Sequence, residues 1–244
     1  MFADAEDILT RMAAVYAALR TYRDTGVVTT TFFSPRKRTR RRPFSTRFAR
    51  SRGFLFEFRS RHGEDDWDQF ALWTEGGRVR SWWSIKPERE GFATLANGLS
   101  AATGTSGGAS HRVPHLLMPE MHAHLPSRPR EPASVVDDAD ASAQDCVVVA
   151  LPRMLGLPEH LWIDRSTLLI RRVVEPRHVP GPPPPGALER LRAHDPRHAE
   201  EIARRFAERP DYGMVEVESV TTYEAEANPA IDSAELLFSP GRVS

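Results

Sequence analysis

The feature that most constrains this chain is segment 54–59, Phe-Leu-Phe-Glu-Phe-Arg, in which aromatic rings alternate with other side chains. Successive side chains of a β-strand point to opposite faces, so Phe54, Phe56 and Phe58 would share one face while Glu57 and Arg59 share the other. Three large rings on one face of a strand need cover from water. The segment therefore predicts a sheet whose aromatic face is covered by other parts of the chain.

Further strands are predicted on both sides of this segment. Before it, β-rich patterns cover 21–33 and 44–50, and after it 68–74 and 78–84 form a hairpin across Glu75-Gly76-Gly77. Later strands are expected at 145–151, 160–174 (a hairpin with a polar turn), 212–224 and 234–238, with a weak strand at 135–136. We expect Trp73 and Trp83 on the same covered face as Phe56 and Phe58, although a register error of one residue would invert any strand.

Two helical regions are expected to cover the sheet. Residues 4–19 predict an amphipathic helix, because Ile8, Met12, Val15 and Leu19 recur at spacings of four, three and four. Residues 82–119 interrupt the strands and are interpreted as two short apolar helices joined by a hinge at 104–108. We expect Leu95, Leu99, Leu116 and Leu117 to form the lid side of a concave apolar site whose sheet side is Phe56, Phe58, Trp73 and Trp83. The alternative is that all eight are ordinary core residues.

Two motifs could carry catalysis, and neither is favoured. Gly104-Thr105-Ser106-Gly107-Gly108 matches the G-x-S-x-G nucleophile elbow, but an elbow follows a buried strand and 95–102 predicts a helix. His111, His115, His122 and His124 are close in sequence, yet Pro114 lies between the first pair and no acidic base follows His111. We expect no catalytic residue, no metal and no cofactor. A hydrolase at Ser106 or a histidine metal site remains the less favoured alternative.

The distribution of charge argues against nucleic acid as a partner and points to one basic segment. Lys plus Arg and Asp plus Glu number 33 each, so no global field attracts nucleic acid, and no nucleic-acid partner is expected. The exception is 36–42, with six basic residues in seven, which we interpret as a solvated hairpin tip. An anionic lipid or an acidic partner could bind at Arg36–Arg42.

The remaining segments bear on organisation and location. The proline-rich run at 180–186 and the charged helical pattern after it predict a linker and a surface helical insertion over 179–210 of a single domain, 1–244. Cys146 is the single cysteine, so no intrachain disulfide can form. No apolar run approaches the roughly 20 residues of a membrane helix, and the first residues lack the pattern of a signal peptide.

The order of these elements resembles the LolA/LolB/RseB-like lipoprotein-carrier superfamily, and more narrowly a branch of predicted periplasmic proteins within it. The resemblance spans most of the chain outside the proline-rich linker and the helix that follows. The segments that carry it are 22–28, 46–50, 54–58, 82–85, 104–117 and the hairpin from Leu161 to Arg172.

The resemblance implies an α+β fold: a curved antiparallel sheet, open as a half-barrel, with the N-terminal helix and inserted lid helices on its concave face. It also implies non-enzymatic binding, carriage or sensing of a lipoprotein, lipid or other hydrophobic (acyl) ligand in the periplasm or cell envelope. A protein-interaction or regulatory module that binds no lipid is the alternative.

Overall fold

The computed structural model describes residues 4–33, 37–61, 67–122, 132–152, 157–179 and 215–240, with isolated positions between 189 and 204. In chain order the helices are α1 (Ala5–Ala18), α2 (Leu95–Ser106), α3 (Arg112–Leu117) and α4 (Ala139–Ala143), with 3-10 turns at Pro119–His122 and Ser233–Leu236. The strands are β1 (Thr21–Phe32), β2 (Arg38–Ala49), β3 (Gly53–Arg61), β4 (Trp67–Glu75), β5 (Arg78–Trp83), β6 (Lys86–Phe92), β7 (Ser134–Val136), β8 (Cys146–Leu151), β9 (Glu159–Asp164), β10 (Ile170–Val179) and β11 (Val215–Ala227).

All eleven strands form one open antiparallel sheet in the order β6-β5-β4-β3-β2-β1-β11-β10-β9-β8-β7. Strands that follow one another in the chain are neighbours in the sheet, except β6 and β7, which lie at its two edges, and the first strand, β1, pairs with the last, β11. The predicted fold class, an α+β open half-barrel, is confirmed.

The two faces of the sheet bury different clusters. On the concave face α1, α2 and α3 pack on one large core that includes Phe56 and Phe58. On the convex face Phe238, which follows the 3-10 turn at Ser233–Leu236, packs on Leu55, Ala71 and Trp73. A second convex cluster places Ala141 of α4 on residues of β8, β9 and β10.

Four local expectations were wrong. Lys86–Phe92 is an edge strand that was not predicted, because six of its seven residues are exposed and four are charged, so it has no apolar pattern. Residues 233–236 form a 3-10 turn with a capping box at Asp232 instead of a strand. The basic run, interpreted as a solvated hairpin tip, belongs in part to a strand, since β2 begins at Arg38 instead of Phe44. Helix α2 continues through Gly104 to Ser106, so the connection between the lid helices lies at 107–111 instead of 104–108.

The predicted linker and insertion at 179–210 lie almost wholly outside the described residues. The isolated positions described there are helical, and Ala199 is buried. The surface insertion and the single-domain boundaries stay predictions. Within the described part of the chain, no helix is long and apolar enough to span a membrane.

Gly26 lies where β1 crosses beneath the concave core. A Cβ on this residue would lie 2.3 Å from the Thr222 carbonyl oxygen and 2.4 Å from Cζ of Phe44. Since a backbone oxygen cannot move aside cheaply, Gly26→Ala is expected to lower the free energy of unfolding by about 1–3 kcal/mol. Urea denaturation measures this change. Gly91→Ala in β6 is the matched control, because its Cβ would meet no atom closer than 3.8 Å, and equal losses in the two variants would contradict the prediction.

Candidate functional site: the concave face and its lid

The sheet side of the site is a continuous line of aromatic rings across four strands, which we call the aromatic row: Phe44, Phe56, Phe58, Phe70 and Trp83. Ring centroids are 6.3 Å apart for Phe44 and Phe56, 6.2 Å for Phe56 and Phe58, and 5.2 Å for Phe58 and Phe70. Phe70 meets Trp83 edge to face at 6.0 Å. Phe56, Phe58 and Trp83 therefore lie on one face, as the alternation of residues predicts.

Trp73 does not belong to this face, and the expectation that it does was wrong. In the register of β3 and β4, Phe56 is opposite Leu72 and Phe58 is opposite Phe70, whereas Trp73 is opposite Leu55. Its ring packs on Phe238 at a centroid distance of 5.3 Å on the convex face. Residues 70–73 are apolar on both faces of the strand, so the sequence pattern could not show which face is concave.

The lid, residues 95–117, supplies the other side of the site. Leu99 of α2 and Leu117 of α3 are fully buried in the concave core, and Leu95 and Leu116 pack against it while partly exposed. Helix α2 begins where the Thr94 side chain accepts a hydrogen bond from Asn97 N, a standard N-cap. That these leucines and the aromatic row bind a ligand stays a prediction.

A five-residue turn, 107–111, joins α2 to α3. Gly107 and Gly108 have φ of 72° and 96°, a left-handed conformation that favours glycine. Ser106 Oγ donates to the Thr103 carbonyl at 3.3 Å and accepts from Ser110 N at 3.3 Å. Ser106 is fully buried at the end of a helix, so it stabilises the turn of the lid and lacks the strand-to-helix setting of a nucleophile elbow.

The histidines of the lid do not form a metal centre in the described residues. The rings of His111 and His115 lie 4.1 Å apart at the start of α3. Among the described residues, no group of three or more His, Cys, Asp or Glu could hold a metal ion. The His122 side chain and all of His124 lie outside the described residues.

Two arginines hold the lid against the rest of the molecule, and the sequence analysis missed both. Arg112, at the start of α3, forms ion pairs with Glu159 and Glu175 of β9 and β10, the second at 3.6 Å. Arg50 donates from Nη2 to the Leu117 carbonyl at 3.0 Å and to the Ala17 carbonyl at the end of α1. Their partners are distant in sequence, so no spacing could have indicated these contacts.

A buried polar cluster lies under α1 at the base of the concave face. Asp24 accepts hydrogen bonds from Tyr22 Oη at 2.8 Å and from Thr46 N at 2.8 Å. Burial raises the pKa of Asp24 to about 6, against the opposing effect of these hydrogen bonds. Burial also raises the pKa of Tyr22 well above its usual value, so its hydroxyl keeps its proton. Among the described residues no histidine joins these contacts, and the cluster stabilises the packing of β1 on β2.

The concave face is closed in this structure. Phe56, Leu99 and Leu117 each have 0% of their surface exposed, so the lid leucines occupy the surface that the sequence analysis assigned to a ligand. A hydrophobic ligand can reach the aromatic row only if the lid moves away from it.

Comparisons with known proteins find similarity among solved structures alone. No family model matches the chain, and no curated protein matches it. A DUF1329 family protein from Desulfovibrio piger is 11% identical with a TM-score of 0.38 and 95% of each chain covered. A LolA superfamily protein from Nitrosomonas europaea is 9% identical with a TM-score of 0.37, covering 97% of this chain and 98% of that one. MucB is 12% identical with a TM-score of 0.41, covering 97% of this chain and 63% of MucB.

Proposed function

We propose that this protein is a non-enzymatic carrier or sensor that binds an acyl chain, of a lipoprotein or a free lipid, on its concave face in place of the lid. The observation that carries the proposal is that the lid leucines Leu99 and Leu117 are fully buried in the same cluster as the aromatic row. An apolar face covered by a detachable apolar segment can exchange that segment for an apolar ligand. A periplasmic location belongs to the same proposal, because the superfamily that the sequence resembles is one of envelope proteins.

The energies on the two sides of this exchange are comparable. Burying a leucine side chain stabilises by roughly 1.5–3 kcal/mol, so Leu99 and Leu117 together contribute about 3–6 kcal/mol to lid closure. An acyl chain gains roughly 0.8 kcal/mol for each methylene it buries, so about eight buried methylenes offset both leucines. A chain of ordinary fatty-acid length is therefore long enough to offset the burial of these two leucines.

The internal hydrogen bonds of the lid support its movement as one body. Ser110 Oγ donates to the Leu99 carbonyl at 3.0 Å, and Thr103 Oγ1 donates to the same carbonyl at 2.9 Å. These bonds join α2 to the turn and do not involve the sheet. Moving the lid therefore breaks apolar contacts, the hydrogen bond from Arg50 to Leu117 and the ion pairs of Arg112. The polar groups of the turn keep their partners.

Removing the ion pairs of Arg112 is expected to strengthen ligand binding. Arg112→Gln removes the ion pair between the closed lid and the buried Glu159, and this destabilises the closed state relative to the open one. Apparent affinity rises with the population of the open state, so we expect the dissociation constant for cis-parinaric acid to fall about tenfold. Fluorescence titration measures it.

Arg47→Gln is the control, because Arg47 is about as exposed as Arg112, pairs with Glu57 at 3.0 Å and lies outside the lid. It is expected to leave probe affinity unchanged. If wild type and Arg112→Gln both fail to bind the probe, and no lipid copurifies in native mass spectrometry, the carrier proposal is wrong and an interaction module without lipid is favoured.

A further inference from the structure

The hairpin of β1 and β2 extends past its neighbour on one side. Strand β2 pairs with β1 along its whole length, from Phe32 opposite Arg38 to Thr21 opposite Ala49. Its pairing with β3 begins only at Phe44, opposite Phe58. Residues 38–43 therefore have β1 on one side and no paired strand on the other among the described residues. This end of the hairpin is a projecting edge, and we call Phe32, Phe33 and Lys37–Arg42 the basic tip.

The basic tip presents cations and aromatic rings together. Lys37, Arg38, Arg40 and Arg41 are exposed, and Phe33 is 41% exposed. Lys37 Nζ lies 5.8 Å from the centroid of the Phe33 ring, and the guanidinium groups of Arg38 and Arg40 each lie 5.9 Å from that of Phe32. The cations are thus held beside the rings by cation-π contacts, and both kinds of group face outward from one short segment.

The charges of the tip are not neutralised within the described part of the protein. None of the ion pairs found among the described residues involves Lys37, Arg38, Arg40 or Arg41. The net charge of the whole chain is zero, so this positive segment is a local feature and not part of a general basic surface. A concentrated positive segment with an exposed ring needs a partner that offers both negative charge and an apolar layer.

We propose that the basic tip docks the protein on the anionic surface of a lipid bilayer. Arginine and lysine bind the phosphates of acidic headgroups, and an aromatic ring at the same edge enters the boundary between headgroups and acyl chains. Nucleic acid fits less well, because Phe33 is the single strongly exposed ring of the tip and gives no series of stacking platforms. The proposal concerns a surface outside the concave site and does not depend on the carrier function.

The tip also leads to the lid. Arg42 shares its strand face with Arg38 and Arg40, and donates from Nη1 to Thr30 Oγ1 at 3.4 Å. A Cβ on Gly107 would lie 3.4 Å from this Nη1 atom. Arg42, the last residue of the basic tip, therefore lies beside the turn between α2 and α3. A bilayer bound at the tip would therefore lie on the side of the molecule where the lid turns.

The test is cosedimentation with sucrose-loaded vesicles of phosphatidylcholine alone or with 30 mol% phosphatidylglycerol, roughly the anionic content at which a polybasic segment binds. Wild type is expected to bind the anionic vesicles, and to bind them less as salt is raised. The variant Arg38→Gln/Arg40→Gln/Arg41→Gln loses three charges that are each worth about fivefold in partitioning. Its binding is expected to fall on the order of 100-fold.

The control variant is Arg20→Gln/Arg52→Gln/Arg78→Gln. It removes the same net charge from exposed residues at the end of the sheet opposite the basic tip. Because β1 has twelve residues, these arginines lie roughly 35–40 Å from the tip. It is expected to retain at least half of wild-type binding. A second tip variant, Phe33→Ser, keeps every charge and is expected to weaken binding several-fold at all salt concentrations.

Three outcomes would overturn the proposal: no binding of wild type to anionic vesicles, equal binding by wild type and the tip variant, or equal loss in tip and control variants. The first outcome would leave an acidic protein as the partner of the tip. Unchanged cis-parinaric acid affinity in a tip variant that loses vesicle binding would show that docking and the concave site are separate functions. Failure of probe binding with intact vesicle binding would contradict the carrier function alone.

Discussion

Alanine in place of Phe56 is expected to lower the free energy of unfolding by about 3–5 kcal/mol and also to weaken binding of an acyl probe. Phe56 is fully buried at the middle of the aromatic row, with ring neighbours on two sides at 6.2 and 6.3 Å. Truncation leaves a cavity on the sheet side, which both the closed lid and a bound acyl chain would contact. Urea denaturation and fluorescence titration with cis-parinaric acid measure the two effects on the same variant.

The lid leucine that covers this face is expected to respond differently. Leu99→Ala also costs about 2–5 kcal/mol in the ligand-free protein, because Leu99 is fully buried in the same cluster. The ligand-bound state, with the lid displaced, does not contain this contact. Affinity for the probe should therefore rise in Leu99→Ala while it falls in Phe56→Ala, although both variants lose stability.

Leu55→Ala is the matched control for this pair. Leu55 is next to Phe56 in sequence but belongs to the convex cluster of Trp73 and Phe238. Its truncation is expected to reduce stability by a similar amount and to leave probe affinity unchanged. If Leu99→Ala and Phe56→Ala change probe affinity in the same direction, the lid is not exchanged for the ligand and the proposed mechanism is wrong.

The parts of the fold that the sequence predicted are those in which the pattern is local. The alternation at 54–58 placed Phe56 and Phe58 on one face, and the Glu75-Gly76-Gly77 turn placed β4 beside β5. In each case a few adjacent residues carry the physical cause, namely strand pleating or the conformational freedom of glycine. The pairing of β1 with β11, which places Gly26 opposite Tyr223, has no local signal, since it joins the two ends of the chain.

The parts that the sequence could not predict depend on contacts between distant residues or on ambiguous patterns. Trp73 was assigned to the wrong face because Phe70, Ala71, Leu72 and Trp73 are all buried, and alternation fails where both faces are covered. Similarly, Arg112 and its partner Glu159 are separated by the whole of β7 and β8. The two helices of the lid were predicted, but the contacts of Arg50 and Arg112 that hold them in place became visible only in the structure.

Asp24 is expected to lower the stability of the protein as pH rises. A carboxyl group whose pKa falls on folding has the opposite effect. Burial raises its pKa to about 6 from the usual 3.8, so between these values the folded state holds a proton that the unfolded state has lost. The contribution of Asp24 to stability is therefore fully present below about pH 4 and is lost as pH rises through about 6. A shift of this size corresponds to about 3 kcal/mol.

Asp24→Asn tests this dependence, because an amide has nearly the same shape and no charge. Its oxygen can still accept from Thr46 N, and its NH₂ group can donate to Tyr22 Oη. The stability of Asp24→Asn relative to wild type is expected to increase by up to about 3 kcal/mol between pH 4 and pH 7.5. Urea denaturation across this range gives the difference at each pH.

Asp164→Asn is the control with the opposite sign. Burial opposes ionisation of Asp164, but hydrogen bonds from Ser166, Thr167 and Arg171 outweigh it and hold the pKa of this carboxyl below its usual value. Its stabilising contribution is therefore present above about pH 4 and is lost only as pH falls further. The difference between wild type and Asp164→Asn should stay flat from pH 5 to 7.5, roughly the interval in which Asp24 titrates. A flat profile for Asp24→Asn over the same interval would show that Asp24 is already ionised in the folded protein, with its charge stabilised by Tyr22 and Thr46.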